Sequence, residues 1–216
     1  MRKFILLFSF FFLITIPGYS TLSEICQLYD DLELRNEVSF EAFQQAVTGY
    51  NKIEVQKPIL TLIDFSKASI EERFYVIDMN EKKILFKSHV AHGRNSGANY
   101  ATSFSNEKGS YQSSLGFYLT ENTYQGKNGL SLVLDGLEKG INDNAKTRAV
   151  VIHGADYCNP QQAIFMGRLG RSFGCPALPK ELNKPIIETI KDGSLIYIYS
   201  ESHNEKYLEK SSVLFN

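Results

Sequence analysis

Seven short apolar runs constrain this chain more than any other feature: "PILTLIDF" (58–65), "RFYVIDM" (73–79), "KILFKSHVA" (83–91), "LGFYLT" (115–120), "LSLVLDG" (130–136), "RAVVIHG" (148–154) and "SLIYIYS" (194–200). Each is too short for a packed helix, rich in β-branched and aromatic residues, and bounded by turn formers, so each reads as a strand. Fifteen Phe and twelve Tyr with no Trp point the same way, because aromatic side chains favour the pleated surface. The expected fold is mainly β with minor α, in mixed sheets. With 43% hydrophobic residues over 216 positions, one packed core is attainable without a covalent staple.

Helical signals flank and interrupt this β texture. Residues 22–53 read as helical, and in "SFEAFQQAVTGY" Ser39 is the N-cap of a stretch that puts Phe40, Phe43, Ala46, Val47 and Tyr50 on one face. A second helix is expected over "PKELNKPIIETIK" (179–191), with Pro179 near its first turn and Leu182, Ile186, Ile187 and Ile190 on one side. The polar connection 92–114 is too long for an idle turn, and long loops in compact domains tend to carry function. The tail from Glu201 to Asn216 is polar apart from "VLF" and is expected at the periphery.

The opening twenty residues, "MRKFILLFSFFFLITIPGYS", place Arg2 and Lys3 before an apolar run that ends at Ile16, followed by Pro17, Gly18 and Ser20. That is a secretory signal peptide pattern, with cleavage after Ser20; the alternative is an uncleaved anchor, although the apolar run is short for a span. "LSEIC" lacks the small residues of a lipoprotein signal before Cys26. Cleavage would leave 21 basic against 24 acidic groups, a net charge of −3, with no further segment able to span a bilayer. Such a balance offers no field for nucleic acid. The expectation is an exported protein with no membrane span after signal removal: 1–20 signal peptide, 21–54 helical segment, 55–200 β-rich body, 201–216 tail.

Export makes the cysteine count informative. Cys26, Cys158 and Cys175 are an odd number, so an oxidising compartment leaves at least one thiol over. A Cys158–Cys175 disulfide, three reduced thiols, and a reactive Cys175 left free are all open on counting alone.

The chemistry concentrates in "GRLGRSFGCPAL" (167–178). A cysteine attacks as thiolate, yet an ordinary thiol is mostly protonated at neutral pH and needs a base or a positive charge nearby. His153, at the end of a strand, is placed to be that base. Gly174 permits a sharp turn, and its N–H with that of Cys175 would face a developing oxyanion. Pro176 restricts the backbone after the nucleophile. Arg168 and Arg171 supply planar donors suited to a carboxylate.

"VVIHGADY" followed by "GRLGRSFGCPALP" resembles the L,D-transpeptidase catalytic domain family (YkuD-like), in the murein branch whose motif ends "GCPAL". The similarity extends through "LTLIDFSKAS", "VAHGRNSGANYATSFSNEKGSYQSSLGFY", "TYQG" and "LDGLEKGINDNA", over roughly residues 55–200. The resemblance implies a mixed β-sheet catalytic domain with N-terminal helices, needing no cofactor and acting on peptidoglycan stem peptides. It puts the nucleophile on Cys175, the base on His153, the motif serine and glycine on Ser172 and Gly174, and the imidazole-orienting carbonyl on Gly154. Two departures stand out. Phe173 occupies the place of a second histidine common in the wider family, and Ala177 that of an arginine; the latter implies that Arg168 or Arg171 binds the substrate carboxylate.

The implied reaction attacks the carbonyl of the third stem residue, expels D-Ala, forms a thioester and passes the acyl group to an amine. An L,D-carboxypeptidase would use water instead, and a non-catalytic wall-binding module would keep the fold without the chemistry. Tyr157 would add a donor at the oxyanion. Ser113 and Ser114 either line the donor groove, as the resemblance implies, or brace a loop. Asp156 is either a turn residue or a contact for the substrate amine. Tyr111 and Tyr118 read as core or rim, and His203 as a solvated tail residue. His89 and His92, three apart on a strand, face opposite sides, so no metal site is expected from them. Cys158 either pairs with Cys26 or is an inert buried thiol.

Overall fold

The structure, a computed structural model, describes residues 21–215. The expected signal peptide lies outside the described residues.

The helical stretch at the start divides into α1 (Leu22–Asp31) and α2 (Phe40–Tyr50). Thr21 and Glu24 form a capping box on α1, and Ser39 caps α2 by accepting from Ala42 N–H at 3.2 Å. Between the helices Glu33 takes a left-handed backbone, φ +55°, and Leu34 and Val38 turn into the core, so one continuous helix is not formed. α2 lies tightly on the sheet: a Cβ at Gly49 would fall 2.1 Å from the Phe117 ring.

The strands follow as β1 (Ile59–Asp64), β2 (Phe74–Asp78), β3 (Lys83–Ser88), β4 (Gly116–Gly126), β5 (Gly129–Gly136), β6 (Val151–Gly154), β7 (Ala177–Leu178) and β8 (Leu195–Tyr199). All seven runs named above become strands. β7 was not foreseen, and β4 runs six residues past the expected end, because "ENTYQG" is polar ribbon that pairs with β5 in solvent rather than in the core. The strands form one sheet ordered β3-β2-β1-β8-β4-β5-β6-β7. β1–β8 and β6–β7 are parallel and the other neighbours antiparallel. Every residue of the central β1 and β8 is buried, which is why they read as continuous apolar runs instead of alternating ones.

The sheet nearly closes on itself. Just past β3, Ala91 pairs with Ala177 of β7 at the far end, Ala91 N–H donating to Ala177 O at 2.8 Å and Ala177 N–H returning to Ala91 O at 3.2 Å. This joins the two ends of the strand order and leaves less unpaired edge. It also brings the chain after β3 against the chain before β7.

Two further short elements frame that junction. α3 (Pro160–Met166) was not foreseen; Asn159 caps it and Gly167, φ +69°, ends it. α4 (Lys180–Ile190) packs Ile186, Ile187 and Ile190 inward against β5 and β6, as the sequence predicts. The tail is not peripheral. α5 (Asn204–Leu208) and α6 (Ser212–Phe215) return to the body, where the Tyr207 hydroxyl and Ser211 Oγ donate to the buried Glu138 carboxyl. Glu138 also accepts from Phe117 N–H at 2.9 Å, so a polar tail is held by a buried acceptor that pattern reading does not see.

Candidate active site

β6 carries His153, whose Nδ1 lies 2.9 Å from the Gly154 carbonyl oxygen. A carbonyl only accepts, so Nδ1 carries the hydrogen and Nε2 of the neutral ring keeps its lone pair. β6 runs parallel to β7 with His153 opposite Ala177. On the same strand, two residues before His153, the Val151 N–H faces the Cys175 thiol.

The loop before β7 is wound tightly around Ser172. Its Oγ accepts from Gly174 N–H at 3.0 Å and donates to the Cys175 carbonyl at 2.6 Å. The Gly174 N–H, expected to face an oxyanion, is therefore spent inside the loop, because a hydroxyl two residues away satisfies it first. Gly174 has φ +125°, and a Cβ there would fall 2.8 Å from the Gln112 carbonyl oxygen, so glycine is required by both backbone and space.

The Cys175 sulfur sits against the chain entering β6, 3.6 Å from the Ala149 carbonyl. Ala149 is held left-handed, φ +53°, at this contact. Burial pushes the thiol up; the Val151 N–H, the Arg148 cation and the Cys175 N–H pull it back down. All three cysteines are free. Cys158 is fully buried and pushed up to about 12 by desolvation, an inert packing thiol rather than a disulfide partner of Cys26.

Arg148 is the residue that sequence reading missed. Half-buried at the start of the run that carries His153, it donates to the Ser105 and Gln112 carbonyls, to Ser114 Oγ at 3.1 Å and to Ser110 Oγ at 3.4 Å. Its guanidinium thus ties the 92–114 loop to the Cys175 region. Its place five residues before His153 was the available signal. Ser113 and Ser114 brace this loop. Ser113 Oγ accepts from Gly93 N–H at 3.0 Å and donates to Gly174 O at 3.1 Å, and Ser114 Oγ accepts from Arg148 and from the Tyr118 hydroxyl.

A model of the L,D-transpeptidase catalytic domain matches residues 34–199. The chain belongs to that family. Solved structures match it at low identity and low TM-score. An L,D-transpeptidase from Mycobacterium smegmatis is 13% identical, with TM-score 0.39 over 66% of this chain and 58% of that one. The helical cell shape determining protein Pgp2 from Campylobacter jejuni is 15% identical, with TM-score 0.41 over 68% and 49%. An L,D-transpeptidase from Stackebrandtia nassauensis is 13% identical, with TM-score 0.40 over 82% and 76%. The chain therefore spans less than two thirds of the first two. Comparison with curated proteins finds no significant match.

Within this family member, the arginines expected to take a substrate carboxylate are engaged elsewhere. Arg171 Nη1 donates to the Arg94 and Gly97 carbonyls at 3.1 and 2.8 Å, and Arg168 Nη1 to the Leu169 carbonyl at 2.9 Å. Tyr157 borders a groove of about 640 Å³ with Gly154, Asp156, Lys180 and Asn183. Burial pushes its phenol up, and the Cys175 thiol adds to that, so the hydroxyl remains a donor and lies within electrostatic reach of the sulfur. Asp156 pairs with Lys180 at 2.7 Å.

The two histidines of "HVAH" have separate partners: His89 Nε2 meets the Ile70 carbonyl at 3.0 Å, and His92 Nδ1 accepts from Arg73 at 2.8 Å. Among the described residues no group of three or more His, Cys, Asp or Glu is placed to hold a metal. No described helix is long and apolar enough to cross a membrane. His203 is not simply solvated; its ring meets Phe104 edge-on at 5.1 Å.

Proposed function

We propose that this chain is an exported cysteine acyltransferase of peptidoglycan stem peptides, an L,D-transpeptidase working in the periplasm or cell envelope, with residues 55–200 carrying the chemistry. One observation carries the reading: a free thiol closes a glycine-tight loop against the Val151 N–H of β6, the strand that also carries His153 with its Nδ1 hydrogen engaged by the Gly154 carbonyl.

His153 Nε2 removes the Cys175 proton, and the thiolate attacks the carbonyl of the third stem residue. The oxyanion takes the Cys175 N–H and the Tyr157 hydroxyl. Collapse breaks the amide bond; D-Ala leaves with the proton from His153, and the acyl group stays on sulfur as a thioester. An acceptor amine from a second stem then attacks, giving its proton to His153 as the carbon–sulfur bond breaks. The new amide forms, the thiol is regenerated, and the balance needs no cofactor or ATP. Ser172 and Ser113 hold the loop, and Arg148 supports the thiolate.

Intact-mass measurement with a carbapenem tests the nucleophile: one adduct, absent in Cys175→Ala, is expected, and no adduct on the wild type overturns the reading. Incubation with isolated stem peptides then separates outcomes, cross-linked dimers for transfer and shortened tripeptides for hydrolysis.

A further inference from the structure

Arg94 differs from every other described arginine. Arg35 is paired with Asp30, Arg73 donates to Val90, Lys67 and His92, Arg148 braces the long loop, and Arg168 and Arg171 donate to backbone carbonyls. The Arg94 guanidinium makes no hydrogen bond or ion pair within the described residues. It lies instead 5.7 Å from the centre of the Tyr111 ring and 5.8 Å from that of Phe173. The two rings are 5.0 Å apart and inclined at 50°. Both stand in solvent, Tyr111 44% and Phe173 67% exposed.

This cluster is fixed to the nucleophile loop by backbone. Arg94 N–H donates to the Ser172 carbonyl at 2.7 Å, Asn95 N–H to the Tyr111 carbonyl at 3.2 Å, and Ser113 Oγ to the Gly174 carbonyl. Tyr111 holds φ +54°, a left-handed conformation that an aromatic residue adopts only under constraint. Phe173 stands two residues before Cys175. A cation with unused planar donors, stacked on two exposed rings at the edge of a nucleophile loop, is built to receive an anion attached to an apolar chain.

We propose that Arg94, steadied by Tyr111 and Phe173, binds a carboxylate of the stem-peptide substrate while the two rings cover the adjoining aliphatic segment. The proposal rests on the stem-peptide reading above and names its anchoring contact. It moves that contact from Arg168 and Arg171, each of which the fold already holds through Nη1 to backbone carbonyls, to a residue on the opposite loop. The proposal takes that carboxylate from one of the two residues flanking the scissile bond, the side chain of a diamino acid at the third position or the terminal D-Ala.

Calorimetric binding to the Cys175→Ser protein reads the contact without turnover. Four peptides serve as probes: a tetrapeptide with diaminopimelate at the third position, its terminal amide, the lysine-containing tetrapeptide, and the lysine peptide as the amide. Adding Arg94→Gln is expected to weaken the fully acidic peptide about tenfold or more, a charge-assisted bidentate contact being worth at least that. The loss should vanish with whichever carboxylate is removed, which identifies its source. Arg94→Lys should recover part of the affinity. Equal weakening of all four peptides, or none, overturns the Arg94 assignment while wild-type turnover leaves the acyltransferase reading standing. No binding of any peptide to the parent overturns the assignment, and with it, if the wild type also shows no turnover, the stem-peptide reading. An unchanged melting temperature for Arg94→Gln confirms that the loss is not unfolding.

Discussion

His153 gives its Nδ1 hydrogen to the carbonyl oxygen of Gly154, 2.9 Å away. Because the acceptor is the next residue on the same strand, the ring orientation is set by β6 itself. An imidazole held this way keeps its orientation whether or not substrate is present, which suits the general-base role proposed for it.

Removing that base should cost about 10²–10⁴-fold in the rate of acylation, the usual contribution of a positioned general base. Time-resolved intact mass of His153→Ala with a carbapenem checks this. A rate within a few-fold of wild type would take the role away from His153.

Arg148 is expected to matter through charge and through geometry. In Arg148→Gln the Cys175 thiolate loses its cationic neighbour, so the pH midpoint of alkylation by iodoacetamide should move upward. Arg148→Lys should hold the midpoint closer to wild type while loosening the Ser105 and Gln112 contacts. A midpoint unchanged in the glutamine variant would reduce Arg148 to a loop brace.

Gly174→Ala places a Cβ 2.8 Å from the Gln112 carbonyl and forces a side chain onto φ +125°. The expected cost is about 1–3 kcal/mol, with a melting temperature several degrees lower and Cys175 displaced from the long loop. Differential scanning calorimetry beside carbapenem acylation measures both, and an unaltered variant would show that the elbow has slack.

Acid should destabilise the fold through His92. Burial first, and then the Arg73 guanidinium, push its imidazole down to about 3, with Arg171 adding to the effect. The unfolded chain binds that proton near pH 6.5, where the native state refuses it. The stabilisation is therefore complete above about 6.5 and is lost as pH falls from there toward 3, on the order of 1 kcal/mol per pH unit. Urea unfolding at several pH values should show this slope, and His92→Asn should flatten it. A parallel dependence in the variant would assign the acid sensitivity to other groups.

Local signals carried much of the architecture. Ser39 and the apolar face of α2, the inward isoleucines of α4 and the seven strand runs are periodicities within a few residues, and local periodicity survives whatever tertiary context it enters. β7 escaped because two residues have no period, and α3 because Ile164, Phe165 and Met166 face solvent and leave no apolar face to count. The tail was misread because Glu138, a charged residue by type, is buried as the acceptor that anchors Tyr207 and Ser211.

The candidate site divides along the same line. Residue types together with the family resemblance pointed to Cys175 and His153 as candidates, since nucleophilic chemistry requires a thiol and a base wherever they fall. What surrounds them was decided only when the near-closed sheet brought distant segments together: the Cys175 thiol meets a carbonyl 26 positions away, and Ser113 reaches Gly174 across 61. Which arginine braces, which is left free and which N–H is already spent depends on hydrogen bonds between those segments. Spacing along the chain carries no record of such partners, because closing a long loop costs little that the sequence pattern can register and the choice among equivalent donors is made by packing.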